Sequence, residues 1–216
     1  MTTRRVKLIW IAPAVLGSFA LLFLLVRPVR EMLYNAAFSY VPLHDARARL
    51  LNDRSLVAVE IDALPIRPGS DVCDLAELAA RFVAQRLSYS SDGGYDYLDP
   101  EDVYQHRLVH CGGYSSLFAA TLTRLLQRAG LPEDYSVRIQ TGRVRFLNLW
   151  NVTFSKLPIH LHGLRREIGI NFEYHTYNTI CPNRGGRSTR RRTADANLYD
   201  YTGVLFVRES AVRTME

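Results

Sequence analysis

The stretch VHCGGYSSLFAATLTRLLQRAGLPEDYSVRIQTG, Val109 to Gly142, decides how the rest of the chain is read. From Cys111 to Ala129 it has the spacing of a helix. Leu117, Phe118, Thr121, Leu122, Leu125 and Leu126 form one broad apolar face, Gly130 stands where a helix stops, and Pro132 follows. A face that wide marks a buried helix. Its first residue is a cysteine, placed where unpaired backbone N–H groups and the helix dipole favour thiolate over thiol. Gly112 and Gly113 are poor helix formers, useful where backbone must lie close to a substrate carbonyl and offer the Cys111 N–H to an oxyanion. A cysteine taken alone is more commonly a packed residue than a nucleophile, so the assignment depends on what surrounds it.

Beyond Gly130 the period changes. Tyr135 to Gln140, Val144 to Phe154, Glu167 to Ile180 and Val204 to Val207 are rich in branched and aromatic residues and read as strands. Upstream, Ser70 is placed to cap a helix with Asp71 and Asp74 in its first turn, and Val72, Leu75, Ala79, Phe82, Val83 and Leu87 follow at helical spacing. Ser88 to Pro100 carries Gly93 and Gly94 among serines, aspartates and tyrosines, a surface loop able to rim a cleft. Leu56 to Ile61 alternates as a short strand would, and Glu31 to Asp53 reads as a helical or irregular neck. Helices first and strands afterwards predict an α+β domain with helices packed on one face of an antiparallel sheet.

The segment from Val109 resembles the transglutaminase-like branch of the papain-like cysteine superfamily. There a cysteine opens a helix, a turn of the type Arg128-Ala129-Gly130-Leu131-Pro132 ends it, and a strand like the one through Val137 and Ile139 to Gly142 follows. Such proteins next place a histidine in a strand, with an aromatic residue two positions on, as in His175-Thr176-Tyr177-Asn178. An aspartate comes after the next hairpin, as in Asp195-Ala196-Asn197. The resemblance spans Asp71 to Asp200. Its departures are a long interval between Cys111 and His175, containing Phe146 to Arg166, and a hairpin before Asp195 that carries a run of arginines. It implies a papain-like core, a catalytic triad of Cys111, His175 and Asp195, peptide or protein substrates and no cofactor.

The three roles are coherent. An imidazole beside the sulfur stabilises the thiolate and later protonates the leaving amine, while a carboxylate on its far nitrogen fixes tautomer and orientation. Asp200 is a fallback for the carboxylate, Gln105 or Trp150 could donate to the oxyanion, and His110 reads as a rim or packing residue. The expected function is acyl transfer on amide or isopeptide bonds, hydrolytic or cross-linking. The alternative is a catalytically inactive binding module on the same fold. His160 and His162 would face one way on a strand, but no further ligand stands at convincing spacing beside them, so no metal is expected.

From Leu8 to Val26 no residue is charged, and roughly 19 apolar or small residues are near the minimum for a membrane-spanning helix. A cleaved signal peptide competes with this reading, but no good cleavage site follows the run. Arg4, Arg5 and Lys7 before the run, against Arg27 and Arg30 after it, put the N-terminus in the cytoplasm. The expected organisation is a basic cytoplasmic tail at 1-7, a transmembrane anchor at 8-27, a neck at 28-69 and a transglutaminase-like domain at 70-216 on the extracytoplasmic side. In that oxidising setting Cys73 and Cys181 form a disulfide or remain two buried thiols. A net charge of +6 raises nucleic acid as a partner. The arginines, however, cluster at the N-terminus and at Arg184, Arg187, Arg190, Arg191 and Arg192, without any nucleic-acid-binding signature. Lipid contact through the N-terminal helix is expected instead, and the oligomeric state is left open.

Overall fold

A computed structural model describes residues 26–90, 99–146, 175–183 and 191–208. The chain is α+β. Its described helices are α1 (Arg27–Ala37), α2 (Leu56–Asp62), α3 (Val72–Arg86), α4 (Pro100–His106), α5 (Cys111–Arg128) and α6 (Ala196–Thr202). The strands are β1 (Phe38–Arg47), β2 (Ser88–Tyr89), β3 (Leu108–Val109), β4 (Tyr135–Phe146), β5 (His175–Pro182), β6 (Arg192–Ala194) and β7 (Phe206–Val207). Five strands form one antiparallel sheet in the order β1-β4-β5-β6-β7, while β2 and β3 pair separately in parallel. The two ends of the large sheet approach each other, with the Tyr40 N–H donating to the Arg208 carbonyl at 2.9 Å.

Helix α5 is central because it has almost no polar face: thirteen of its eighteen residues are buried. Leu117, Phe118, Leu122 and Leu125 meet α3 through Leu75, Ala79 and Val83, and meet the sheet through Val137, Ile139 and Ile180 in one continuous core. Truncating a fully buried leucine such as Leu122 would cost about 2–5 kcal/mol. Gly130, at φ +72°, ends α5, and the Leu131 N–H reaches back to the Leu126 carbonyl at 2.9 Å. A second, smaller cluster of Tyr34, Tyr40, Val144, Tyr177, Leu198, Val204 and Val207 draws on α1, α6 and four of the five strands.

Several expectations change. Leu56 to Ile61 is helix, not strand. Ser55 caps it by accepting the Ala58 N–H at 3.3 Å, and Val57, Ala58 and Ile61 are the residues it buries, a helical period hidden in a short apolar run. The expected neck contributes the edge strand β1, whose outer half is exposed and therefore lacks the alternation that marks a strand. The α3 cap is Asp71, not Ser70: its carboxylate accepts from Cys73 and Asp74, and the Asp74 side chain reciprocates. β4 runs unbroken through Thr141 and Gly142. Cys73 and Cys181 are free, half-buried thiols in this structure. Tail and anchor, residues 1-7 and 8-27, lie outside the described residues except Val26 and Arg27, as do Trp150, His160 and His162; no described helix is long and apolar enough to cross a membrane.

Gly142 pairs with Pro42 of β1, next to a break in register between Pro42 and His44, and β1 lies close against it. A Cβ there would lie 2.3 Å from the Val41 carbonyl oxygen and 3.0 Å from the Tyr177 hydroxyl. Gly142→Ala is therefore predicted to cost about 1–3 kcal/mol through forced backbone displacement. Urea denaturation measures it, and an unchanged midpoint would contradict the close approach.

Candidate functional site

Three residues far apart in sequence meet where the N-terminus of α5 faces the start of β5. Two hydrogen bonds hold these elements in register: Ser115 Oγ donates to the Thr176 carbonyl at 2.9 Å, and Asn178 Nδ2 donates to the Ser115 carbonyl at 3.0 Å. Cys111 opens the helix and His175 opens the strand, so the same register brings sulfur and imidazole into contact. His175 is buried and its Nε2–H donates to Asp195 Oδ2 at 2.6 Å. Nδ1, the nitrogen left over, is buried without a hydrogen-bond partner, and the Cys111 side chain acts on the imidazole as a whole, favouring its charged form.

Asp195 is held on every side. It directly follows β6, where its N–H donates to the Leu205 carbonyl at 2.9 Å, and it caps α6, with Oδ1 accepting the Leu198 N–H at 3.0 Å. Oδ2 receives a second donor besides His175, the Tyr40 hydroxyl at 2.7 Å. Tyr40 has one proton and gives it to Asp195, so at its 2.7 Å contact with Tyr34 it is the acceptor. The result is a buried chain from Tyr34 through Tyr40 and Asp195 to His175. The Tyr40 ring also packs edge-on against His175, with ring centroids 5.8 Å apart.

The electrostatics follow from this enclosure. Burial pushes the Cys111 thiol up, but the His110 and His175 side chains and the Thr176 backbone more than offset it and bring the group down to about 5. Burial lowers His175, yet the Asp195 charge and hydrogen bond and the Cys111 sulfur raise it to about 10. Burial raises Asp195 too, and His175, the Leu198 N–H and Tyr40 overcome it, so the carboxylate stays ionised. The opposite shifts of sulfur and imidazole favour a thiolate–imidazolium pair, which titrates as a unit.

The other sequence candidates fall elsewhere. Asp200 accepts from the Tyr114 hydroxyl at 2.8 Å and is not the His175 partner, and Gln105 is exposed on α4. His110 is more than a rim residue: it caps α5, its Nδ1 accepting the Gly112 N–H at 3.3 Å, and its ring interacts with Cys111. The two glycines have a packing cause that the sequence reading did not supply. A Cβ on Gly113 would stand 2.6 Å from Val109 Cβ, and one on Gly112 would stand 3.3 Å from the His110 ring. Tyr34 and Tyr40 escaped the sequence reading because their segment looked like a neck. Among the described residues no group of three or more His, Cys, Asp or Glu converges to hold a metal ion.

Comparison of the chain with protein-family models, curated proteins and solved structures gave no match.

Only the thiolate alkylates, so iodoacetamide labelling of Cys111, followed by mass spectrometry, should rise as pH passes about 5 and be level through neutrality. His175→Ala should move that rise toward about 8.5, the value of an unassisted thiol. A Cys111 that titrates near that value in the unaltered chain would refute the ion pair. Tyr40→Phe removes a buried donor to a carboxylate and should cost about 1.5–3 kcal/mol in urea unfolding.

Proposed function

We propose that this chain is a cysteine-dependent acyl-transfer enzyme acting on amide or isopeptide bonds, with a transglutaminase-like, papain-like core and Cys111, His175 and Asp195 as its triad. One observation carries the reading. A buried imidazole is fixed through Nε2 to a carboxylate at 2.6 Å and interacts with a half-buried thiol at a helix N-terminus. A structural cysteine has no need of a histidine that is itself oriented by a buried aspartate.

In this reading the thiolate attacks the carbonyl carbon and the C=O electron pair moves to oxygen, facing the first turn of α5, where Gly112 N–H is already capped by His110 and the donor would have to be another N–H of that turn. The tetrahedral intermediate collapses, the C–N bond breaks, and the imidazolium passes its proton to the departing amine. A thioester on Cys111 remains. Neutral His175 then takes a proton from water or from an incoming amine, which attacks the thioester and releases the thiolate. Water gives hydrolysis; an amine gives cross-linking. Asp195 stays ionised throughout and stabilises the imidazolium. Residues 8-27 would anchor the enzyme in a membrane, with this domain on the extracytoplasmic side and peptide or protein as substrate.

The decisive experiment uses p-nitrophenyl acetate as acyl donor. The unaltered chain should carry an acetyl thioester on Cys111 in intact and peptide mass spectra, chased by hydroxylamine. Acylation should fall by about 10²–10⁴-fold in His175→Ala and vanish from that position in Cys111→Ala. Acetylation of Cys73 or Cys181 at a rate equal to that of Cys111 would sink the assignment, since the activated thiol would then be nothing special.

A further inference from the structure

The exposed residues at α1 are Val26, Pro28, Met32, Leu33 and Ala36, and every one is apolar; Met32 is 63% exposed. A solvated helix face normally carries charge. Here the polar side chains of α1 are engaged by the protein: Arg27 pairs with Glu31 and Glu77, and Tyr34 joins the buried chain to Asp195. Asn35 Nδ2 donates to the Phe206 carbonyl at 3.1 Å.

Asn35 also borders a pocket of roughly 600 Å³ where α1 meets β6 and β7. Three arginines line it, Arg191, Arg192 and Arg208, and among the described lining residues none is acidic. Two of them are steadied. Arg191 donates to Thr179 Oγ1 at 3.3 Å, and Arg192 lies over the Phe206 ring at 5.5 Å. Asn35 commits its nitrogen to Phe206, which leaves Oδ1 a buried acceptor without a partner. The site thus offers several donors for anionic oxygens and one acceptor for a hydroxyl.

A free phosphate ion would suit the arginines but would leave the apolar helix face unexplained. A bilayer surface accounts for both. It is also where α1 would lie, because the helix follows directly on the uncharged run from Leu8 to Val26. We propose that α1 rests on the membrane with Met32 and Leu33 among the acyl chains. Arg191, Arg192 and Arg208 receive the phosphate of an anionic glycerophospholipid, with its headgroup hydroxyl available to Asn35. This site is separate from the triad and does not depend on catalysis.

Hydroxyl-radical footprinting of Met32 tests it on the full chain, held in neutral detergent micelles, in phosphatidylcholine nanodiscs and in nanodiscs enriched in phosphatidylglycerol. Met32 oxidation should fall about fivefold or more in the anionic discs relative to the neutral ones. Arg191→Gln/Arg192→Gln/Arg208→Gln should abolish that difference while leaving thermal unfolding in detergent unchanged. If the triple variant unfolds, Arg192→Gln alone should still lose at least part of the protection. Equal protection in neutral and anionic discs, or equal labelling in all three settings, overturns the proposal. So does loss of protection on adding inorganic phosphate, which would make the free ion the ligand.

Discussion

Asp195 is a carboxylate removed almost entirely from water, and a buried charge persists only where the surrounding groups replace its hydration. Here three donors do so, from β5, β1 and α6. Each belongs to an element that must be in place before the carboxylate can be ionised. The arrangement that makes His175 basic is thus the same one that ties the sheet, the last helix and the first strand together. Removing any single donor would leave a charge underpaid for its burial, which is why the site and the fold are not independent quantities.

The other half of the site is positioned by packing. Helix α5 is buried over most of its length, and Ser115 and Asn178 lock it to β5 across a largely apolar interior. Side-chain to backbone hydrogen bonds in such an interior fix register more strictly than apolar contact, since a slip of one residue would orphan both partners. Cys111 and His175, each at the end of its element, inherit that register.

Much of this was legible in the sequence. The α5 helix announced itself by a wide apolar face and a glycine stop, and the strands after it by branched and aromatic residues. The histidine and aspartate could be chosen through a resemblance; in the structure His175 interacts with Cys111, and Asp195 is hydrogen-bonded to His175. What remained hidden had physical reasons. β1 is a half-exposed edge strand containing Pro42, so its composition looked like linker, and Tyr40, the second donor to Asp195, went with it. Leu56 to Ile61 is too short for periodicity to separate helix from strand. α6 is a seven-residue helix whose start is marked only by Asp195, a residue already assigned to chemistry. The two glycines after Cys111 illustrate the reverse case: they were read for chemistry, and their immediate neighbours show a need for close packing as well.

The first strand, β1, is hydrogen-bonded to residue 208, the last of those described, through the Tyr40 N–H. Contacts spanning so much of the chain form late, after the cost of closing a long loop has been met. During synthesis, Cys111 emerges well before Asp195 and the β7 strand that braces it. A nascent chain would therefore carry Cys111 without the His175–Asp195 pair, and the lowering of its thiol would follow only once β6 and β7, the last of the described strands, have paired.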